Sequence, residues 1–402
     1  MSSYTELLKT PGVGRIIAAQ LTARFPFGML SLAFLLHIEQ QSGSYGAAGA
    51  VLAATSIGQA IAGPMTSRLM GRFGMRPVIT LTLVLCASAT TSIALVPMTV
   101  PLYMVVGFFA GLTTPPIQPA VRTIYPKMVN SRQLTPLFSL DATAQEIIWV
   151  VGPVVTTFVS TQIGTVWGIL LAVAFMVGGG VWFLTSPELG RVRIPRSKRG
   201  FGAVLRRPPV LLATAVGFLL VGACAAIEAG VVAVFGHDSP DSGIVLAIFS
   251  IGSIAGGLTF GRVPIGPWAT TRRMFIVFVG TAAAMAAMNF WWLALTLFIA
   301  GIGIAPALAV LFAIVSSSVK FSDTAEAYGW VGTGQLIGAA LGSAAAGVLI
   351  DAYSPVGAFY AATVFAFFGF IVPLFTRRWH PDLRGRDASP QPDTEPVAVQ
   401  PS

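Results

Sequence analysis

Twelve stretches of this sequence each run for about 20 residues with almost no charge, the length a helix needs to cross a bilayer. They fall near 15–37, 46–68, 77–97, 101–125, 133–160, 164–186, 209–235, 243–262, 273–290, 291–318, 325–350 and 356–376. A chain that is 55% hydrophobic and 10% charged cannot hide such segments behind a polar shell, so lipid is the solvent for most of it. The formal net charge of +9 invites comparison with nucleic-acid binders, but the placement of the charges excludes that class. Of 24 Lys and Arg, 23 sit in the tails or at alternate ends of the apolar stretches, in loops near 68–76, 122–132, 191–207, 262–273 and 320. The intervening loops carry none. This positive-inside pattern predicts a multi-pass protein of the cytoplasmic (inner) membrane with both termini cytoplasmic. The first apolar stretch is long and lacks a small-residue cleavage site, so it is expected to remain as a span rather than be removed as a signal peptide.

The sequence is also written twice. Gly49–Gly58 returns as Gly243–Gly252, an offset of 194, with seven of ten residues identical, and the match continues through Gly63/Gly257 and Arg68/Arg262. At an offset of 190, Phe108-Phe-Ala-Gly111 with Pro116 returns as Phe298-Ile-Ala-Gly301 with Pro306. Thr143, Gln145, Ile147 and Gly152 return at the same offset as Thr333, Gln335, Ile337 and Gly342. The second, fourth and fifth stretches therefore repeat as the eighth, tenth and eleventh, whereas the first and seventh match too weakly to pair. The expected fold class is an all-α membrane protein of 12 transmembrane helices in two pseudo-symmetric six-helix bundles. The bundles span 1–186 and 209–378, joined by a basic linker at 187–208 and followed by a disordered, Pro-rich tail at 379–402. Glycines 49, 58, 63, 243, 252 and 257 read as sites of close helix approach. Cys86 and Cys224 lie mid-span in different segments and read as buried thiols, not a disulfide.

The turn after the second segment, Gly63-Pro-Met-Thr-Ser-Arg-Leu-Met-Gly-Arg-Phe-Gly-Met-Arg-Pro77, resembles the loop signature of the major facilitator superfamily. Arg72, Gly74 and Arg76 match it, with Arg68 just before. Ser67 replaces the first glycine, Met75 takes a basic position, and Gly71 stands where the family has an aspartate that latches one closed state. That latch is expected to be weaker here or built otherwise. Gly152-Pro153 is similar to a fragment of the family's exporter motif, without its flanking glycines. The resemblance implies bundles that rock about a central cavity with alternating access. Helices 1, 4, 7 and 10, with parts of 2, 5, 8 and 11, would line that cavity.

Charges inside the spans are expensive and normally pair or face water. Arg24 is the one basic residue placed away from a cytoplasmic end; the embedded acids are Asp141, Glu146 and Glu228. Arg24 lies nine residues inward from Arg15, and Asp141 nine inward from Arg132, so both sit about 13 Å deep. They are the expected pair. Glu146 lies farther out and about 140° around the helix, so a single arginine does not serve both acids. The expectation is that Glu146 carries a proton while Arg24 and Asp141 form a fixed pair; the alternative is a purely structural network of the three. Glu228, among small neighbours, is a candidate for contact with cargo or proton, or a locally paired acid. Glu326 reads as an acid favoured at a helix N-terminus.

Gln145 and Gln335, as symmetry mates, could bind cargo or bridge helices, and Trp149 and Trp330 could form an aromatic cargo site or pack in the core. No two histidines share metal-ligand spacing, no Gly-Lys-Ser/Thr phosphate loop is present, and no nucleophile sits in a recognisable motif. No cofactor is expected, and neither an enzyme nor an ATP-driven pump. The function expected is proton-coupled export, by a monomer, of a small amphipathic or neutral organic compound. The alternatives are a proton-coupled uptake symporter and a non-transporting membrane sensor or scaffold. The expected partners are a small-molecule substrate, protons and the lipid bilayer, and not nucleic acid.

Overall fold

A computed structural model describes residues 4–393 apart from 198, 237–239, 262 and 387. Arg262, named in the repeat, and residues 394–402 of the expected tail lie outside the described residues. The first six spanning helices are α1 (Val13–Ser42), α2 (Tyr45–Phe73), α3 (Met75–Leu95), α4 (Val100–Met128), α5 (Ser131–Gln162) and α6 (Thr165–Thr185). The second six are α7 (Pro208–Phe235), α8 (Pro240–Phe260), α9 (Ala269–Ala284), α10 (Phe290–Ser318), α11 (Thr324–Tyr353) and α12 (Val356–Phe375). Eleven of these segments are long and apolar enough to cross a membrane. Helix α9, with 16 residues, rises only about 24 Å and completes the set of twelve.

The sequence repeat is a repeat of contacts. Gly58 in α2 lies against the backbone of Phe108 in α4, and its mate Gly252 in α8 lies against the backbone of Phe298 in α10. Gly111 meets Thr55 in the first half, and Gly301 meets Phe249 in the second. A methyl group at any of these glycines would strike a neighbouring helix, so they are fixed by the close crossings that drive helix association in lipid. Gly49 and Gly243, also expected to be packing positions, instead face open space.

Helices α1 and α7 diverge for a visible reason. Pro26 breaks α1 into two helices around a 3-10 turn, Phe25–Gly28, while α7 is continuous. The break brings the backbone of Gly28 onto that of Gly152 in α5. The Gly-Pro fragment of α5 is thus the crossing point of α1 and α5, and it sets their side chains in register.

The halves meet along two pseudo-symmetric seams. Gly63 of α2 packs on Gly329 and Thr333 of α11, and the Thr333 hydroxyl donates to the Ala60 carbonyl at 2.7 Å. In the mirror arrangement, Gly257 of α8 packs on Thr143 of α5, and the Ser139 hydroxyl donates to the Gly257 carbonyl at 2.6 Å. Both seams lie toward the end that carries the chain termini and the linker. The linker crosses that end, burying Leu189, Ile194 and Val204.

The tail departs from expectation. As far as Asp393 it is docked on the second half rather than disordered, because His380, Leu383 and Ala388 find buried seats. The Leu383 amide donates to the Ile265 carbonyl at 2.9 Å, and Gln391 pairs with Val319 and Phe321 through backbone hydrogen bonds of 2.9 and 3.0 Å.

Candidate functional site

Asp141 is fully buried and collects donors from two helices, α1 and α4. Arg122 Nε approaches Oδ2 at 3.0 Å; Gln20 Nε2 and Tyr125 Oη each donate to Oδ1 at 3.1 Å. Arg24 stands 3.6 Å from Oδ1, the expected pair, and donates to Gln20 Oε1 at 2.7 Å. The two arginines share Gln145: its carbonyl oxygen accepts from Arg24 Nη2 and, at 3.3 Å, from Arg122 Nη2. Gln145 therefore serves the charge cluster and not an open cargo surface.

Arg122 corrects the sequence reading. The charge pattern places it in a basic loop at 122–132, yet it is 1% exposed. Helix α4 breaks after Leu112 and restarts at Ile117, then runs to Met128, which draws Arg122 nearly two turns into the protein. Its guanidinium lies 3.4 Å from the ring centroid of Phe312 in α10, a contact between the two halves. Phe312 is the residue that the 190-residue offset pairs with Arg122. Following that offset along α4 beyond Pro116 flags Arg122 as a charge without a counterpart. Gln20, Tyr125 and Phe312 carried no comparable signal, being ordinary residues of apolar helices.

Glu146 stands apart from this cluster, as its angular offset requires. Ser253 of α8 donates to its Oε1 at 3.0 Å, while the same hydroxyl accepts from the Ala305 amide of α10 at 3.2 Å. Glu146 is thus buried against the opposite half. Glu228 of α7 is exposed, and the two carboxyls are near enough to sense each other's charge. Among the described residues neither takes part in an ion pair.

A cavity of about 200 Å³ lies on the far side of the seams from the termini. It sits within the first half and is lined by all six of its helices, with Leu336 of α11 as the contribution of the second half. Phe27, Leu30, Phe34, Leu52 and Trp149 give it an apolar wall, and Thr55, Gln59 and Thr90 add polar points. Of the candidate cargo residues only Trp149 lines it. Gln335 lies beside Gly217 of α7. Trp330 packs on Phe201 of the linker, with ring centroids 5.7 Å apart, so it is a residue of the closed end rather than of an aromatic cargo site.

That end is held by ion pairs. Arg68 Nη1 meets Glu326 Oε2 at 2.9 Å and also donates to the Arg199 carbonyl. Glu326 accepts from the Gly202 amide at 2.7 Å, so it does more than stabilise the start of α11. Asp323 takes the Ser197 hydroxyl at 2.6 Å and Arg199 at 3.6 Å. Gly71, in the place of the family's aspartate, packs on Pro195 of the linker. Gly74 has φ +93° and caps α2 where a side chain would be strained. Arg72 covers the Phe73 ring at 5.0 Å, and Arg76 lies against Gly190. The loop motif is therefore present as a scaffold for the linker, and the inter-half pairing is made by Arg68.

Two bundles of six helices, joined by a linker and with a cavity within the first of them, define a carrier fold. The profile described as Major Facilitator Superfamily matches residues 16–288 and 224–400, and the chain belongs to that family. It is a multi-pass membrane protein of a transporter class rather than an enzyme class. Among solved structures, it is similar to the human organic anion transporter MFSD10 (TETRAN), with a TM-score of 0.70 and 15% identity, covering 91% of this chain and 98% of that one. It is also similar to the proton:xylose symporter XylE bound to 6-bromo-6-deoxy-D-glucose, with a TM-score of 0.69 and 14% identity, covering 94% and 97%. At such identities the likeness is one of fold. No curated protein sequence matches the chain.

Proposed function

We propose that this protein is a proton-coupled exporter of a small amphipathic organic compound, working by alternating access, with Glu146 as the proton carrier. The observation that carries the reading is the position of Glu146. Its carboxyl meets a hydroxyl of the opposite half instead of a cation. A carboxyl so placed holds a proton while the seam is shut and can release it to water when the halves part. The fixed charges lie elsewhere, on Asp141 with Arg24 and Arg122. The apolar wall of the cavity suits a body with little charge, and the basic linker supports a cytoplasmic assignment of the closed end. On this reading the state is outward-facing.

A thermal-stabilisation screen of amphipathic compounds on the purified protein supplies a ligand. Proteoliposomes under an imposed pH gradient then measure its flux. The expected result is gradient-driven flux by the wild type and, in Glu146→Gln, retained binding with loss of the drive. Full gradient-driven flux by Glu146→Gln overturns the assignment. Because XylE is a symporter on the same fold, everted vesicles decide direction: accumulation inside them supports export, and depletion supports uptake. A ligand that binds and never moves favours a sensor.

A further inference from the structure

The cluster around Asp141 is not neutral. Arg24 and Arg122, 2% and 1% exposed, share one carboxylate; the arginines' other partners, Gln20, Gln145 and Gln118, are uncharged, as is Tyr125, which donates to the carboxylate. One unit of positive charge is left over inside the protein, where an uncompensated ion costs several kcal/mol. Arg24 Nε is buried without any acceptor. The cavity wall is made by neighbours of this cluster along the helices: Ala23 and Pro26, on either side of Arg24, line it, as does Trp149 one turn beyond Gln145. Gln145 is only half-buried and accepts from both guanidiniums, so turning its amide aside frees a donor on each.

We propose that the cavity takes an amphipathic organic monoanion, its carboxylate or sulfonate received by Arg24 and Arg122 in place of Gln145 and its apolar body lying along Phe27, Leu30 and Trp149. The anion would bring the cluster to neutrality, and guanidiniums are suited to a two-oxygen acceptor. The opposite face of Arg122 is covered by Phe312, so the cluster is shielded from the closed end by the second half. When the seams open, that ring leaves with α10 and the same cluster faces the other side. The proposal sharpens the cargo class of the transport reading and rests on that reading for the cavity's role.

The test compares 2-naphthoate with its uncharged isostere 2-naphthamide, by titration calorimetry on protein in nanodiscs. The expected result is binding of naphthoate at least tenfold tighter than of naphthamide. Equal affinity, preference for the amide or no naphthoate binding overturns the proposal. Arg24→Gln should bring the ratio near one; an unchanged ratio also overturns it. Gln145→Glu places a carboxylate where the ligand's is expected, so it should raise the melting temperature and abolish the preference together. A raised melting temperature with the preference intact means that the anion binds elsewhere and overturns the proposal. Gradient-driven flux of naphthamide equal to that of naphthoate would sink the anion proposal while leaving proton-coupled transport standing.

Discussion

At the scale of single residues, Asp141 is the keystone of the first half. Its two oxygens satisfy Arg122, Gln20 and Tyr125 and balance part of the charge on Arg24. Removing one member of a buried charge group leaves the others uncompensated, at a cost of about 3–5 kcal/mol. Asp141→Asn keeps the shape and loses the charge, so it should lower stability by about that amount in a chemical-unfolding titration. Arg24→Gln in the same chain should recover part of the loss, since it removes one of the two orphaned cations. Absence of any recovery would mean that the two guanidiniums do not share the carboxylate. The sequence showed the Arg24–Asp141 half of this group because depth can be counted from basic helix ends. It hid Arg122, whose depth depends on where α4 restarts after its break, and that restart is a matter of packing at Pro115 and Pro116.

At the scale of elements, the repeat was legible because the packing glycines have no substitute: Gly58 and Gly252 touch backbone, and a side chain would push the crossings apart. The tail was not legible. Its composition is that of a disordered segment, yet three apolar or neutral side chains at wide spacing, with a few backbone hydrogen bonds, seat it on α9, the α8–α9 loop and the α10–α11 connection. His380 is one of them. Its Nδ1–H donates to the Pro381 carbonyl at 2.8 Å, and its Nε2 accepts from the Thr270 hydroxyl at 3.0 Å, an arrangement for the neutral ring. Burial pushes its pKa below the ordinary 6.5, with Arg273 adding to the shift and Asp382 opposing it. The undocked tail then takes up a proton that the docked tail refuses. Docking is therefore at full strength above about pH 6.5 and weakens as the pH falls below it. Hydrogen exchange at the amides of Leu383 and Gln391 should be faster at pH 5 than at pH 7.5, relative to intrinsic rates. In His380→Gln that difference should vanish.

At the scale of the whole molecule, the termini end is held shut by two small-residue seams and by the Arg68–Glu326 and Arg199–Asp323 pairs across the linker. Arg68 is 31% exposed, so its pair is worth about 1 kcal/mol, roughly a fivefold change in population. Glu326→Gln should shift the balance toward the state open at that end by about that factor. Electron-resonance distances between spin labels on α2 and α11 would show the longer population grow; an unchanged distribution would leave the seams alone in charge of closure. Within the α5–α11 pair the ionisable groups were legible as belonging to the first half, since Asp141 and Glu146 face Val331 and Leu336 at the repeat offset. What the second half supplies instead, the Phe312 ring and the Ser253 hydroxyl, was not, because neither residue type stands out in an apolar helix.

The surplus cation between Arg24, Arg122 and Asp141 also makes the empty carrier an electrical object. Carrying one elementary charge through a full membrane potential changes the energy by about 2.3 kcal/mol per 100 mV, and a partial displacement changes it in proportion. A voltage step should therefore redistribute unloaded carriers between their two orientations and give a transient current on a solid-supported membrane with no substrate present. Gln145→Glu, neutral at the same place, should leave that trace flat. The resting orientation of this protein would then be set by the membrane's voltage before any ligand arrives.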